Sequence, residues 1–499
     1  MERSSGVLLH VTSLPNRYGL GTMSVEAYDF VRFLAKAKVR YWQVLPYNHC
    51  DYGMSPYNAY SVFAGNIYWI DLREFLSEEE MAKFGIVPKT SDKVDIVDMQ
   101  AKYFNAFWYF YDKCRNQHDI EKFKKENAHW LYDYARFMSI KQVYGNKPWW
   151  EFPGGLKDND PKANNEFDKK YGKVFDFYVF LQYIFFMQWT RLKSYANKLG
   201  VKIIGDIAIY SAMDGADVWS NKGVYQFGTD GNPTVVSGAP PDAFTEDGQL
   251  WNNPIYDYKL MAKDNYSWWV NRVKITSKLF DTIRMDHFRG FAGYWAVPYG
   301  ETTAKNGGWV KGPGKKLFDA IKANCDVEIF AEDLGVITED VIKLKNSLGY
   351  AGMRVFQFAY ESEFTKGYLP HNYEKNCVVY LGTHDNDTTL GYYSSIDEGK
   401  RAAFARYLDV DSANIPAMVK ESIRAIYQSV ADLVVVTAQD LLLQGNEYRM
   451  NLPGTIEGNW LYQMKEGLSD DVAEYLENLV VTYDRHVKDK GNENGKKDK

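Results

Sequence analysis

The chain has 499 residues, of which 45% are hydrophobic and 25% charged. That composition can bury a large core and excludes a disordered or fibrous chain. A net charge of −6 is mild for this length and gives no reason to expect nucleic acid or an anionic membrane as a partner.

Eight short apolar runs follow one another along the chain and read as strands. They centre on Gly6–His10, Tyr41–Leu45, Lys202–Ile207, Thr282–Asp286, Val327–Glu332, Gly352–Gln357, Val378–Gly382 and Leu433–Thr437. Near-continuous apolar runs suit strands buried on both faces of a parallel sheet, and eight is the number a (β/α)₈ barrel requires. Helical patterns lie between several of them. Ser24 is placed to cap a helix with Ala27, Phe30, Val31 and Leu34 on one face, and Thr338 to cap another that stops at Gly349. The expected fold class is α/β, a (β/α)₈ TIM barrel with large insertions.

The spacing of the runs is uneven. Residues 75–199, rich in aromatics and helical patterning, read as a mainly helical subdomain inserted into a catalytic barrel made of residues 1–74 and 200–499. Within it, Phe175–Trp189 is broken by Asp176, Gln182 and Gln188 and falls short of the ~20 apolar residues of a membrane span, so it reads as a buried helix. Residues 211–257, dense in Gly, Pro, Asp and Asn, read as long loops after the third strand. No signal-peptide pattern opens the chain, and four scattered cysteines suit reduced thiols in a cytoplasmic protein.

The polar residues sit where the apolar runs end. In Thr282–Gly290, Arg284 and Asp286 share one strand face; Asp206, Glu332 and the His384-Asp385 pair end or follow three other runs. Singly, Asp385 could serve a turn, Glu332 a cap, and His287 and His384 a structural role. Glu328, four residues before Glu332, lies too deep to share a site and reads as structural. In a barrel, however, all strand C-termini face one mouth, so these groups converge. Several carboxylates with His287, His384 and Arg284, without a metal-ligand motif or a phosphate loop, point to proton and glycosyl chemistry.

At these residues the chain resembles the amylomaltases, or disproportionating enzymes: 4-alpha-glucanotransferases related to the α-amylases. The resemblance runs nearly end to end. It includes Leu9-His-Val-Thr-Ser-Leu-Pro15, Trp42-Gln-Val-Leu-Pro46, Ser55-Pro-Tyr57 and Phe63-Ala-Gly-Asn66. Further on come Gly238-Ala-Pro-Pro-Asp242, Gly248-Gln-Leu-Trp251, Trp309-Val-Lys-Gly-Pro-Gly314 and Arg449-Met-Asn-Leu-Pro-Gly454.

The resemblance implies Asp286 as nucleophile, Glu332 as general acid/base and Asp385 as a third carboxylate favouring an oxocarbenium-like transition state. Arg284 would keep Asp286 ionised through a two-pronged contact, and His384 and Asp206 would grip the reacting sugar. Tyr57, Asp242, Trp251 and Asn451 match cleft positions. Ala243 stands where some members carry Tyr, which shifts the stacking role to Phe244 and Trp251. The implied substrates are maltooligosaccharides and α-1,4-glucans, with no metal or organic cofactor. Two other readings remain beside transfer: an amylase-like glucan hydrolase and a non-catalytic glucan-binding protein.

Overall fold

A computed structural model describes residues 1–51, 53–89, 95–241, 246–335, 337–361, 363–455 and 457–486, without the side chains of 363 and 364. All eight expected runs are strands: β1 (Ser4–Leu8), β2 (Tyr41–Gln43), β3 (Lys202–Ile207), β4 (Thr282–Met285), β5 (Glu328–Ala331), β6 (Gly352–Val355), β7 (Cys377–Tyr380) and β8 (Leu433–Thr437). They form one sheet in the order β6-β7-β8-β1-β2-β3-β4-β5, every pairing parallel. The remaining gap is bridged where the Ala331 N–H donates to the Ala351 carbonyl at 2.9 Å. β1 and β8 are buried at every residue, so neither face favours polar side chains and no alternation shows in the sequence. β1 starts two residues earlier than Gly6 because Ser4 and Ser5 pair with Leu433 and Val434.

Helices Val25–Lys36 and Glu339–Leu348 form where the periodicity places them, and Gly349 ends the second with φ 72°. Ser24 and Thr338 do not cap with their side chains, contrary to expectation. Each hydroxyl is turned to donate to a carboxylate of the first turn, Glu26 or Asp340, and its oxygen does not meet the backbone N–H that a cap would accept.

Between β2 and β3 run helices Ile96–Cys114, Glu121–Val143 and Pro161–Lys198. Aromatic faces lock them together, with Trp108 and Phe177 stacked at 3.9 Å between centroids. Two of the three polar interruptions of the last helix, the glutamines, are paired with backbone. The Gln182 amide bonds both backbone groups of Gly65, at 2.7 and 2.9 Å, and the Gln188 amide does the same at Asp71, at 2.9 and 3.1 Å. Among the described residues no helix is long and apolar enough to cross a membrane, and all four cysteines are free.

Residues 211–257 are more than long loops. Val235–Ala239 and Gln249–Pro254 pair antiparallel, and Gly293–Pro298 and Gly308–Lys311, from beyond β4, complete a four-stranded sheet. Gly- and Asn-rich composition hides such strands, since half of their partners come from a distant part of the chain.

The opposite, N-terminal end of the barrel is closed by Arg485, which is fully buried. Its guanidinium donates to the carbonyls of Tyr427, Ser429, Ser4 and Ala431 at 2.8–3.1 Å. Burial, with Arg3 nearby, pushes its pKa down to about 9. Arg485→Ala should strip the Ser4 carbonyl of this donor and leave those of Tyr427, Ser429 and Ala431 to Arg3, which already donates to them. It should cost about 2–3 kcal/mol in urea unfolding, since each bond to a charged donor carries roughly 1.5–3 kcal/mol and Arg3 and water replace part of it. An unchanged midpoint would show that this end closes without it.

Candidate active site

β4 and β5 are neighbours with Met285 paired to Ala331, so the next residues, Asp286 and Glu332, emerge side by side at the mouth. The Glu332 N–H donates to the Met285 carbonyl at 3.0 Å and keeps the two chain ends together. His287 then turns with φ 44°. That turn aims the His287 N–H at Glu332 Oε2, 2.8 Å away, while the Leu334 N–H reaches Oε1, also at 2.8 Å. Backbone amides therefore fix the plane of the Glu332 carboxyl. Enclosure by protein pushes Glu332 up to about 7, with the Asp286 charge adding to the rise and Arg284 and the two amides opposing it.

Asp206 pairs in register with Arg284 across β3 and β4. Arg284 Nη1 lies 2.7 Å from Asp206 Oδ2, 3.1 Å from Asp286 Oδ1 and 3.5 Å from the Tyr57 hydroxyl. A single nitrogen makes these contacts, so the two-pronged contact expected with Asp286 is not formed. The geometric reason is that Nη1 sits between two carboxylates and serves both. Tyr57 donates to the same Asp206 oxygen at 2.7 Å. The Asp206 side chain has no exposed area and burial pushes its pKa up, against the pull of Arg284. In this conformation the buried Asp206 carboxylate is bonded to Arg284 and Tyr57.

After β7, His384 Nε2 lies 3.2 Å from Asp385 Oδ2, and the Asn451 side-chain amide donates to Oδ1 at 2.6 Å. Burial raises the Asp385 carboxyl, but His384 and Asn451 outweigh it and hold the group at about 2. Tyr57 and His384 stack at 5.3 Å with an 11° interplanar angle. On the other side, Trp251 from strand Gln249–Pro254 meets His287 edge-on at 4.9 Å. Burial pushes His287 down to about 4, leaving it neutral near pH 7.

The structure thus brings together Asp286, Glu332, Arg284, Asp206 and Tyr57, with His384, Asp385 and Asn451 joined to them through the Tyr57–His384 stack. Trp251 joins them through His287. Asp242, Ala243 and Phe244 lie outside the described residues. Glu328 is remote from this group and pairs with the N-terminal amine at 3.0 Å. Among the described residues no group of histidine, cysteine and acidic side chains is arranged to hold a metal ion.

Residues 9–469 match the 4-alpha-glucanotransferase family. The chain belongs to that family. The 4-alpha-glucanotransferase of Clostridium butyricum is 40% identical over 96% of this chain and all of its own length. That of Thermus thermophilus is 41% identical, with 94% of this chain and 96% of the relative covered. An amylomaltase from Streptococcus agalactiae, solved in complex with acarbose, superposes with a TM-score of 0.89 at 34% identity, covering 97% of this chain and all of that one.

Membership of the 4-alpha-glucanotransferase family favours transfer over both the hydrolase and the binding-protein readings. Two residues of the site escape sequence reasoning. Arg449 donates to the Asp385 carbonyl at 2.6 Å and pairs with Asp387, and the sequence shows it only as the first residue of the Arg449–Gly454 stretch, with no role attached. Trp460 packs on Tyr57 and His384, at 5.9 Å from each, and carries no signal in the sequence.

Proposed function

We propose that the chain transfers α-1,4-glucan segments between maltooligosaccharides by a retaining double displacement through a glycosyl ester on Asp286. The observation that carries this reading is the side-by-side emergence of Asp286 and Glu332 from paired strands. Neighbouring strands lie about 4.8 Å apart, so carboxyl groups carried side by side can approach to the roughly 5–5.5 Å that retention uses.

In the first step Glu332, as the acid, protonates the glycosidic oxygen while the Asp286 carboxylate attacks the anomeric carbon. The C–O bond breaks and the shortened glucan leaves. In the second, Glu332 as carboxylate takes the proton from the 4-hydroxyl of an acceptor glucan, whose oxygen displaces Asp286 and restores the α-linkage. Asp385, ionised and oriented by Asn451 and His384, faces the sugar and favours the positive charge that develops on it. Arg284 supplies the counter-charge 3.1 Å from the nucleophile. Asp206 acts through Arg284 and Tyr57.

Incubation with maltotriose tests the reading: longer oligomers are expected, and glucose and maltose alone would overturn it in favour of hydrolysis. Water stands at ~55 M, so an acceptor sugar competes only if it is prepositioned and the intermediate shielded. Trp251, wedged against His287 beside Glu332, is placed for that shielding. Trp251→Ala should raise the ratio of free reducing ends to elongated product, by roughly threefold or more, because lost shielding admits water. An unchanged ratio would remove Trp251 from acceptor control.

A further inference from the structure

Trp460 has no part in the steps above, yet both its backbone and its ring are unusual. Its φ is 64°, in the left-handed region that a bulky residue occupies only when its surroundings hold it there. Two bonds do so. Its N–H donates to the Met450 carbonyl at 2.7 Å, and the side-chain oxygen of Asn459 beside it accepts from the Leu452 N–H at 2.8 Å. They close the loop that starts at Asn451, the residue that orients Asp385.

The half-buried indole lands against both members of the Tyr57–His384 stack, 5.9 Å from each. Tyr57 holds Asp206, and His384 touches Asp385. One ring therefore backs onto the two aromatic groups that connect the Arg284 cluster to the third carboxylate. A glycine at 460 would adopt this backbone freely, so the strain is tolerated for the sake of the ring, which packs against the core as well as on the stack.

We propose that Trp460 is a positioning residue for glucosyl transfer: its indole clamps the Tyr57–His384 stack, and its left-handed backbone is kept for that placement rather than for stability. This rests on the function proposed above. The ring acts through Tyr57 and His384, and its loss lets them rotate away from the geometry in which Asp206 and Asp385 are presented.

Three variants test it, assayed on maltotriose, by calorimetric titration with acarbose and by thermal melting. W460G removes the ring and relieves the backbone; W460A removes the ring and keeps the strained backbone; W460F keeps a ring. W460G and W460A should both lose kcat by about tenfold or more, as expected when a reacting group is misplaced by an ångström, and bind acarbose correspondingly more weakly. W460G should nonetheless melt above W460A, because only glycine occupies this backbone without strain. W460F should stay within roughly threefold of the wild-type kcat, since an aromatic face still fills the gap. W460G within twofold of wild type in kcat and acarbose affinity, W460G melting at or below W460A, or W460F as slow as W460G would each overturn the proposal. A wild-type chain that makes no longer oligomers would overturn the transferase reading itself, while the melting order and acarbose titration would still report on Trp460.

Discussion

Replacing Glu332 by alanine should slow transfer by about 10²–10⁴-fold, the range expected when a general acid/base is removed. The wild-type rate should fall as pH rises through about 7, because the acid form that protonates the leaving oxygen is then lost. The same shift affects stability. Between the ordinary glutamate value of 4.5 and about 7, the folded chain holds a proton at Glu332 that the unfolded chain has released. Wild-type stability should therefore decline with pH in that window because of this group, by at most about 1.4 kcal/mol per pH unit. The Glu332→Ala variant lacks this decline, so its stability relative to wild type should improve as pH goes from 4.5 to 7. Urea unfolding at both ends of the window measures it, and a pH-independent difference would show that Glu332 titrates normally.

Replacing Arg284 by methionine should cost about 3–5 kcal/mol, the range for removing one partner of a buried ion pair. The Asp206 side chain has no exposed area, and one of its oxygens already lacks a hydrogen-bond partner. Without Arg284 its charge is uncompensated. The loss should shrink at low pH, where Asp206 takes up a proton, and a second change, Asp206→Asn, should recover much of the stability. Activity should not return in the double variant, because Asp286 would still lack its cation. Arg284→Lys should also be slow, by roughly 10²-fold, because a shorter ammonium cannot sit between both carboxylates as Nη1 does. Wild-type rates in Arg284→Lys would remove the positioning role of this contact. Recovery of activity in the double variant would assign Arg284 to stability alone.

Much of the barrel is legible in one dimension because each strand is buried on both faces. Burial on both faces leaves an apolar run that needs no partner to be recognised, and the polar residues at its C-terminal end stand out against it. Asp286, Glu332 and Asp385 are visible for that reason. The four-stranded sheet that carries Trp251 is not, since Val235–Ala239 and Gln249–Pro254 are completed by strands that follow β4. The hydroxyls of Ser24 and Thr338 mark two helix starts, yet they donate to carboxylates two residues on, a choice of rotamer that the residue types alone do not fix.

What the sequence determined by itself is the succession of strands, the helices with a clear apolar face, and the identity of the carboxylates at the mouth. These follow from local periodicity and from the cost of burying charge. Tertiary structure alone decided which groups share a proton or a charge. Arg284 meets Asp206 from 78 positions away, Asn451 orients Asp385 across 66, and Trp460 reaches Tyr57 only because a distant loop folds back. The rise of Glu332 to about 7 depends on enclosure and on the Asp286 charge, and it persists against two backbone amides that hold the carboxylate form. Enclosure and amide direction are properties of the closed barrel, and no stretch of sequence carries them before the strands meet.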